Sequence, residues 1–345
     1  MISSPRQPTL ADIAARAGTT IPTVSKVLNG RSDVSEGTRR RIMDLVAETG
    51  YRRRGSTAAR PASARPAGDR RLIDLVISGV AGGWANQVLI GVESAAAAAG
   101  LELVVTVAGG QSDGNREDWV TRLLARSSAG AVLALVDAST QQLAMLTAAG
   151  IPVVLLDPVD RPPEGIASVG ATNWPAGRDV AEHLLGLGHR RFGVLAWSKD
   201  LLYSRARVDG FCSAVGELAG EESEISTLYV DGRLNAVQAA ARLLDSADRP
   251  TAVFAGADTL ALGVLQVAAD RGIAIPDDLS VVGFDDVPEA KWAGLSTVRQ
   301  PIAEMGAAAL RLLLRQRDAD RRLPREELAT TLVLRASTAA PARHP

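Results

Sequence analysis

The feature that most limits the fold is an alternation. From Leu72 onward, seven short apolar runs recur: LIDLVI, LELVVTVA, AVLALV, IPVVLLD, RFGVLAW, TAVFAG and LSVVGFDD. Helical spacing fills the gaps, for instance over 86–99 and 260–270. Near-continuous apolar strands joined by crossover helices require parallel sheets covered on both faces. Seven such units predict two sheets of similar size, and 345 residues at 46% hydrophobic content supply the cores.

Ligands of open α/β sheets bind beyond the carboxyl ends of the strands. The residues there are Ser78, Trp84 in the loop GVAGGWAN, Asp157, Trp197, Asp258, and Asp285 with its neighbour Asp286; Trp292 follows shortly after. Aromatic residues are 3% of the chain, yet three of the five tryptophans fall at or just after strand ends. Flat rings, carboxylates and an arginine (Arg207, in SRARVDGF) suit a polyhydroxylated ligand: rings cover its C–H faces and charged groups bind its hydroxyls. Any single tryptophan is equally at home in a core or a subunit contact.

The first fifty residues read differently, as three short helices. TLADIAARAG opens with Thr9 and has Asp12 three residues on, a capping-box pattern, and Gly18 ends it. Leu10, Ile13, Ala14 and Ala17 share a face. In AGTTIPTVSKVLNG, Thr20 is the natural N-cap, which places Pro22 second in the next helix. First-turn amides have no carbonyl partner within the helix, so the proline marks a start and not a break. Val24, Val27 and Leu28 face inward, and Asn29-Gly30 closes the helix. A third helix starts near Ser35, with Thr38, Ile42, Leu45 and Val46 on one face, and Gly50 ends it.

Two short helices around a glycine turn make a helix-turn-helix, whose second helix enters the major groove. Thr20, Ile21, Pro22, Thr23, Ser25 and Lys26 are then its DNA face, with Asn29 at its end. Ile21 and Pro22 offer thymine methyls or sugars an apolar contact, while Ser25 and Lys26 supply polar ones. Charge agrees. Of 38 Lys and Arg, 14 precede Leu72, against 6 of 39 Asp and Glu, so the first 71 residues carry +8 and the rest −9. A basic head on an acidic body is expected to meet a polyanion.

Between these parts lies RRRGSTAARPASARPAGDRR, a linker by composition. Pro61 and Pro66 limit any helix to about 56–60. Arg52, Arg53, Arg54 and Arg60 are placed to follow phosphates or a narrow minor groove, or to serve as a basic tether.

At this point the chain resembles the LacI/GalR family of transcriptional regulators. The stretch from Thr9 to Tyr51 is similar to that family's DNA-binding head, with Ile21 and Pro22 at the positions that set operator preference. GHRRFGVLAW, PDDLSVVGFDD and LSTVRQP resemble its effector-binding body, two lobes like those of periplasmic sugar-binding proteins. The resemblance implies that Arg207, Asp258 and Asp285 contact the effector, and that Ala257 stands where the family usually has asparagine. SVGATNWPAG is the implied crossover between lobes, and its wording resembles regulators of pentose or plant-polysaccharide sugar use. The family's hinge helix usually carries a leucine that wedges into the minor groove; here no leucine lies between Tyr51 and Leu72.

The expected organisation is therefore an all-α helix-turn-helix domain (1–51), a linker (52–71) and a two-lobed α/β domain with parallel sheets (72–345). Lobe one takes about 72–170 plus 301–317, and lobe two about 171–300 plus 328–337. The expected partners are a palindromic double-stranded DNA operator, a sugar-like effector and a second copy of the chain, with a tetramer left open. No enzyme, cofactor or metal is expected. AGGQSDGN lacks the phosphate-loop ending, the three histidines show no ligand spacing, no G-x-S-x-G elbow occurs, and Cys212 reads as a buried thiol. One cysteine, no apolar leader and no membrane-length run lead to the expectation of a cytoplasmic, nucleoid-associated protein. The rival readings are a solute-binding receptor and a sugar-modifying α/β protein, each with a helical head that does not bind DNA.

Overall fold

The computed structural model describes residues 9–28, 34–49, 72–108, 119–126, 128–219, 222–231, 234–316 and 325–342. The chain divides into two units, Met1–Ala64 and Arg65–Pro345. The expectations for Asn29, Gly30, Gly50, the Leu28 side chain and the whole linker, including Arg52, Arg53 and Arg54, lie outside the described residues.

The first unit holds α1 (Leu10–Ala17), α2 (Ile21–Leu28) and α3 (Glu36–Thr49). Thr9 and Asp12 form the capping box: the Asp12 amide donates to Thr9 Oγ1 at 3.3 Å, and the Thr9 amide to Asp12 Oδ2 at 2.7 Å. Gly18 turns the chain at φ 65°, a left-handed conformation that suits glycine. The Thr23 amide then donates to Thr20 Oγ1 at 3.4 Å, so Thr20 caps α2 and Pro22 sits in its first turn. Ile13, Ala14, Ala17, Val24, Val27 and Ile42 bury one another, and Leu10, Val34, Leu45 and Val46 pack around them.

The second unit contains the same six-stranded sheet twice. Lobe one uses β1 (Leu72–Ile77), β2 (Glu102–Val107), β3 (Gly130–Ala134), β4 (Val153–Leu156), β5 (Ala167–Ala171) and β11 (Arg325–Leu328) in the order β2-β1-β3-β4-β5-β11, all parallel. Lobe two uses β6 (Arg191–Trp197), β7 (Glu224–Val230), β8 (Ala252–Ala255), β9 (Ser280–Asp285), β10 (Ser296–Arg299) and β12 (Thr331–Val333) in the matching order β7-β6-β8-β9-β10-β12. Only the short β12 runs antiparallel there, against β10.

The helices between them are α4 (Gly83–Ala98), α5 (Trp119–Arg126), α6 (Thr140–Ala148), α7 (Asn173–Gly186), α8 (Leu202–Leu218), α9 (Ala236–Leu244), α10 (Asp258–Asp270), α11 (Pro288–Trp292) and α12 (Ile302–Gln316). Both faces of each sheet are covered, as buried parallel strands demand. The chain passes between lobes three times: from β5 to α7, from β10 to α12, and from β11 to β12. Among the described residues, no helix is long and apolar enough to cross a membrane.

Candidate functional site: an interlobe cleft and a helical head

The loops beyond the strand carboxyl ends of both lobes meet at one cavity of about 390 Å³. Ser78 and Trp84 reach it from the β1–α4 connection, and Asp157 from the end of β4. Trp197 ends β6, Arg207 lies on α8 and Asp285 ends β9. Six of the eight residues expected in the effector site are thus brought together. Among the described residues, four that are not glycine have positive φ, and three of them (Leu135, Asp157 and Asp285) line this cavity. Strained backbone of this kind collects where a site needs it.

Arg207 organises the cleft. It is 2% exposed, and it donates from Nε to Asn173 Oδ1 at 2.8 Å and from Nη1 to the Gly256 carbonyl at 2.7 Å. Its guanidinium lies between two carboxylates, with Nη1 3.7 Å from Asp285 Oδ1 and Nη2 4.0 Å from Asp157 Oδ2. The guanidinium carbon also sits 3.7 Å from the centroid of the Phe284 ring and 5.0 Å from that of Tyr203, cation–π contacts that hold the group in place. Burial pushes the Asp285 carboxyl up to about 8, against the opposing pull of Arg207, which favours its protonated form. Asp157 moves the same way for the same reason, restrained by Arg207 and Asn173. The Gln300 side-chain amide donates to Asp285 Oδ1 at 2.6 Å and orients it.

Two expectations need correction. Asp258 does not line the cavity, although Ala257 and Thr259 on either side do. It is fully buried; Oδ1 accepts from Thr297 Oγ1 at 2.5 Å and Oδ2 from the Val287 amide at 2.9 Å. Both oxygens are engaged inside the lobe, where they tie the Asp285–Val287 turn to β10, and no surface of the residue is open to the cleft. Burial raises the Asp258 carboxyl to about 6, and the bonds from Thr297 and Val287 pull against this. Trp292 is also not in the cleft; it is 82% exposed. Ala290 is the buried position of α11, and two residues further along a helix is 200° around, on the opposite side.

Residues missed by sequence reasoning also line the cavity. Tyr203 stands one helical turn before Arg207 on α8, a spacing that could have flagged it, and burial pushes its phenol up to about 12. Val287 belongs to lobe two but bears on lobe one: a Cβ at Gly83, the first residue of α4, would lie 2.7 Å from Val287 Cβ. The close approach of the lobes requires glycine there. Among the described residues, no group of three or more His, Cys, Asp or Glu could hold a metal ion.

In the head, Thr20, Pro22 and Lys26 are exposed, Ile21 is 46% exposed, and Thr23 and Ser25 are half-buried. One face of α2 packs on α1 and α3, and these six residues lie outside that packing. A 46% exposed isoleucine beside an exposed proline is an apolar spot on an otherwise polar helix surface, the kind of surface that thymine methyls would cover.

Comparison with known proteins agrees with both parts. Residues 9–54 match the lacI family of bacterial regulatory proteins, and residues 181–338 match the periplasmic binding protein-like domain. An uncharacterized HTH-type transcriptional regulator of Streptomyces limosus is 33% identical, covering 97% of this chain and 96% of that protein. The structure of a transcriptional regulator CelR–cellobiose complex is 29% identical with a TM-score of 0.71, covering 96% of this chain and 99% of that one. A lac repressor dimer bound to operator and an anti-inducer is 25% identical with a TM-score of 0.67, covering 97% and 100%. With a capped helix-turn-helix, a doubled α/β lobe and end-to-end similarity to these regulators, the chain belongs to the LacI family of DNA-binding transcriptional regulators.

Proposed function

We propose that this regulator is a repressor whose grip on DNA is set by a sugar held between its lobes. The observation that carries this reading is the content of the cleft: Arg207 between two buried carboxylates, within walls that include Trp84, Trp197 and Tyr203. A neutral polyol satisfies such a site. Asp157 accepts from hydroxyls, protonated Asp285 both donates and accepts, Arg207 donates, and the rings cover C–H faces. The cellobiose held by the CelR relative supports this class of ligand. A pentose or a plant-polysaccharide sugar is the effector class we assign.

On the DNA side, Thr20, Ile21, Pro22, Thr23, Ser25 and Lys26 face the major groove with Asn29 at the end of the helix, and Arg52 to Arg54 follow phosphates or a narrow minor groove. The protein acts as a homodimer on a palindromic operator. Leu89 and Ile90 of α4 and Val105 and Val107 of the edge strand β2 are exposed apolar groups that a second copy would cover. The effector acts through its differential affinity for two lobe arrangements, a coupling of about 1–3 kcal/mol.

Two substitutions separate the sites. Lys26→Ala weakens operator binding in a gel-shift assay and leaves effector binding intact. Asp285→Ala does the reverse, read by calorimetry. Unchanged DNA affinity in the first variant removes α2 from the interface, and unchanged effector affinity in the second removes Asp285 from the cleft.

A further inference from the structure

The effector cavity has a neighbour. A second cavity of about 220 Å³ lies along the same junction between lobes, and Asp157 and Tyr203 line both. Its walls come from β5 and β11 of lobe one and from the starts of α7 and α8 of lobe two. Trp174, which is 42% exposed, and Pro158 give it apolar surface; Asn173 and Glu327 give it polar surface.

Each cavity repeats one chemical pattern. A saccharide ring needs an apolar plane under its C–H face and acceptors at its hydroxyl edge. The first cavity offers Trp84 and Trp197 with Asp157 and Asp285; the second offers Trp174 and Pro158 with Asp157 and Glu327. The two cavities meet at Asp157 and Tyr203. Arg207 lies over the Tyr203 ring, and its Nε is held by Asn173, which itself lines the second cavity. One arginine therefore positions groups of both chambers.

Resting on the sugar reading above, we infer that the second cavity is a subsite of the effector cleft, and that the effector is an oligosaccharide of at least two rings spanning Asp157 and Tyr203. Trp174 is then a specificity-determining residue: it contacts the second ring and discriminates a disaccharide from its monosaccharide.

The test is calorimetry on the full chain with xylose, glucose, xylobiose, cellobiose and maltose, for the wild type, Trp174→Ala and Trp174→Phe. At least one disaccharide should bind about tenfold or more tighter than its own monosaccharide, the scale of one additional stacked ring. Trp174→Ala should erase that advantage and leave monosaccharide affinity and the melting temperature unchanged, and Trp174→Phe should restore most of it. Equal affinity for one ring and two overturns the subsite, as does a Trp174→Ala variant that weakens both alike or neither. Those results leave the sugar reading standing, because saccharides still bind. Binding of none of the five overturns the sugar reading and the subsite together.

Discussion

The lobes approach tightly at Gly83, and this contact gives a sharp perturbation. A methyl group added there meets Val287 Cβ at 2.7 Å and Glu289 Oε2 at 2.8 Å. Carbon atoms prefer about 3.5–4.0 Å, so the lobes must part locally by about 1 Å. Glu289 can swing aside, but Val287 is β-branched, 2% exposed and tethered through its amide to Asp258. Overpacking of this kind costs about 1–3 kcal/mol, and here the cost falls on the lobe arrangement of this structure. Gly83→Ala is therefore expected to weaken effector binding about 5- to 150-fold, because closure and binding share one free energy. The assay is titration calorimetry with the tightest-binding sugar of a panel, alongside small-angle scattering of the ligand-free protein. Gly216→Ala on α8 is the control, since a Cβ there meets nothing within 4 Å. Gly83→Ala affinity within twofold of wild type would refute the closure argument.

Three other outcomes are expected. In the head, Gly18→Ala forces a side chain into φ 65° and costs about 1–2 kcal/mol, which lowers the head's melting temperature; an unchanged melt contradicts the turn. Asp285 takes up a proton on folding, because its native value of about 8 lies far above that of the unfolded chain. Stability should thus fall as pH rises from about 4 towards 8, and Asp285→Asn should flatten that slope in urea titrations. Part of the slope remains, since Asp157 and Asp258 are raised too. Finally, Asp258→Ala leaves the Val287 amide and the Thr297 hydroxyl buried without their acceptor. It should destabilise lobe two by about 1–3 kcal/mol for each group and weaken effector binding through the Asp285 turn; full stability in urea would show that the tie is idle.

The sequence revealed the strands whose burial on both faces leaves a continuous apolar run. β1, β3, β4, β6, β8 and β9 are apolar runs because both their faces are covered. β10 shows no apolar run because Ser296 and Thr297 are polar yet fully buried: Ser296 Oγ accepts from the Arg335 amide at 2.9 Å, and Thr297 Oγ1 donates to Asp258 Oδ1 at 2.5 Å. β7 and β11 lie at sheet edges, where EISTLYV and REEL need no continuous apolar run, and β5 is five residues, ASVGA, with a single large apolar side chain. In the cleft, position after a strand end brought Ser78, Asp157, Trp197 and Asp285 to one cavity, because that rule is topological. It failed for Asp258 and Trp292, since the direction of a side chain is decided by partners far along the chain: Thr297 for the first, the buried face around Ala290 for the second. The capped α1 and the Thr20-Pro22 start of α2 were legible because helix caps are local.

The central claim is that a sugar in the cleft changes how the helical head holds a particular DNA duplex. The measurement that tests it most directly is selection of bound fragments from a random duplex pool by the full-length protein, with and without a panel of sugars. A palindromic consensus whose recovery changes with one sugar, and no longer changes in Asp285→Ala, is the predicted result. Recovery of no consensus, or of one that every sugar leaves unchanged, would contradict the account.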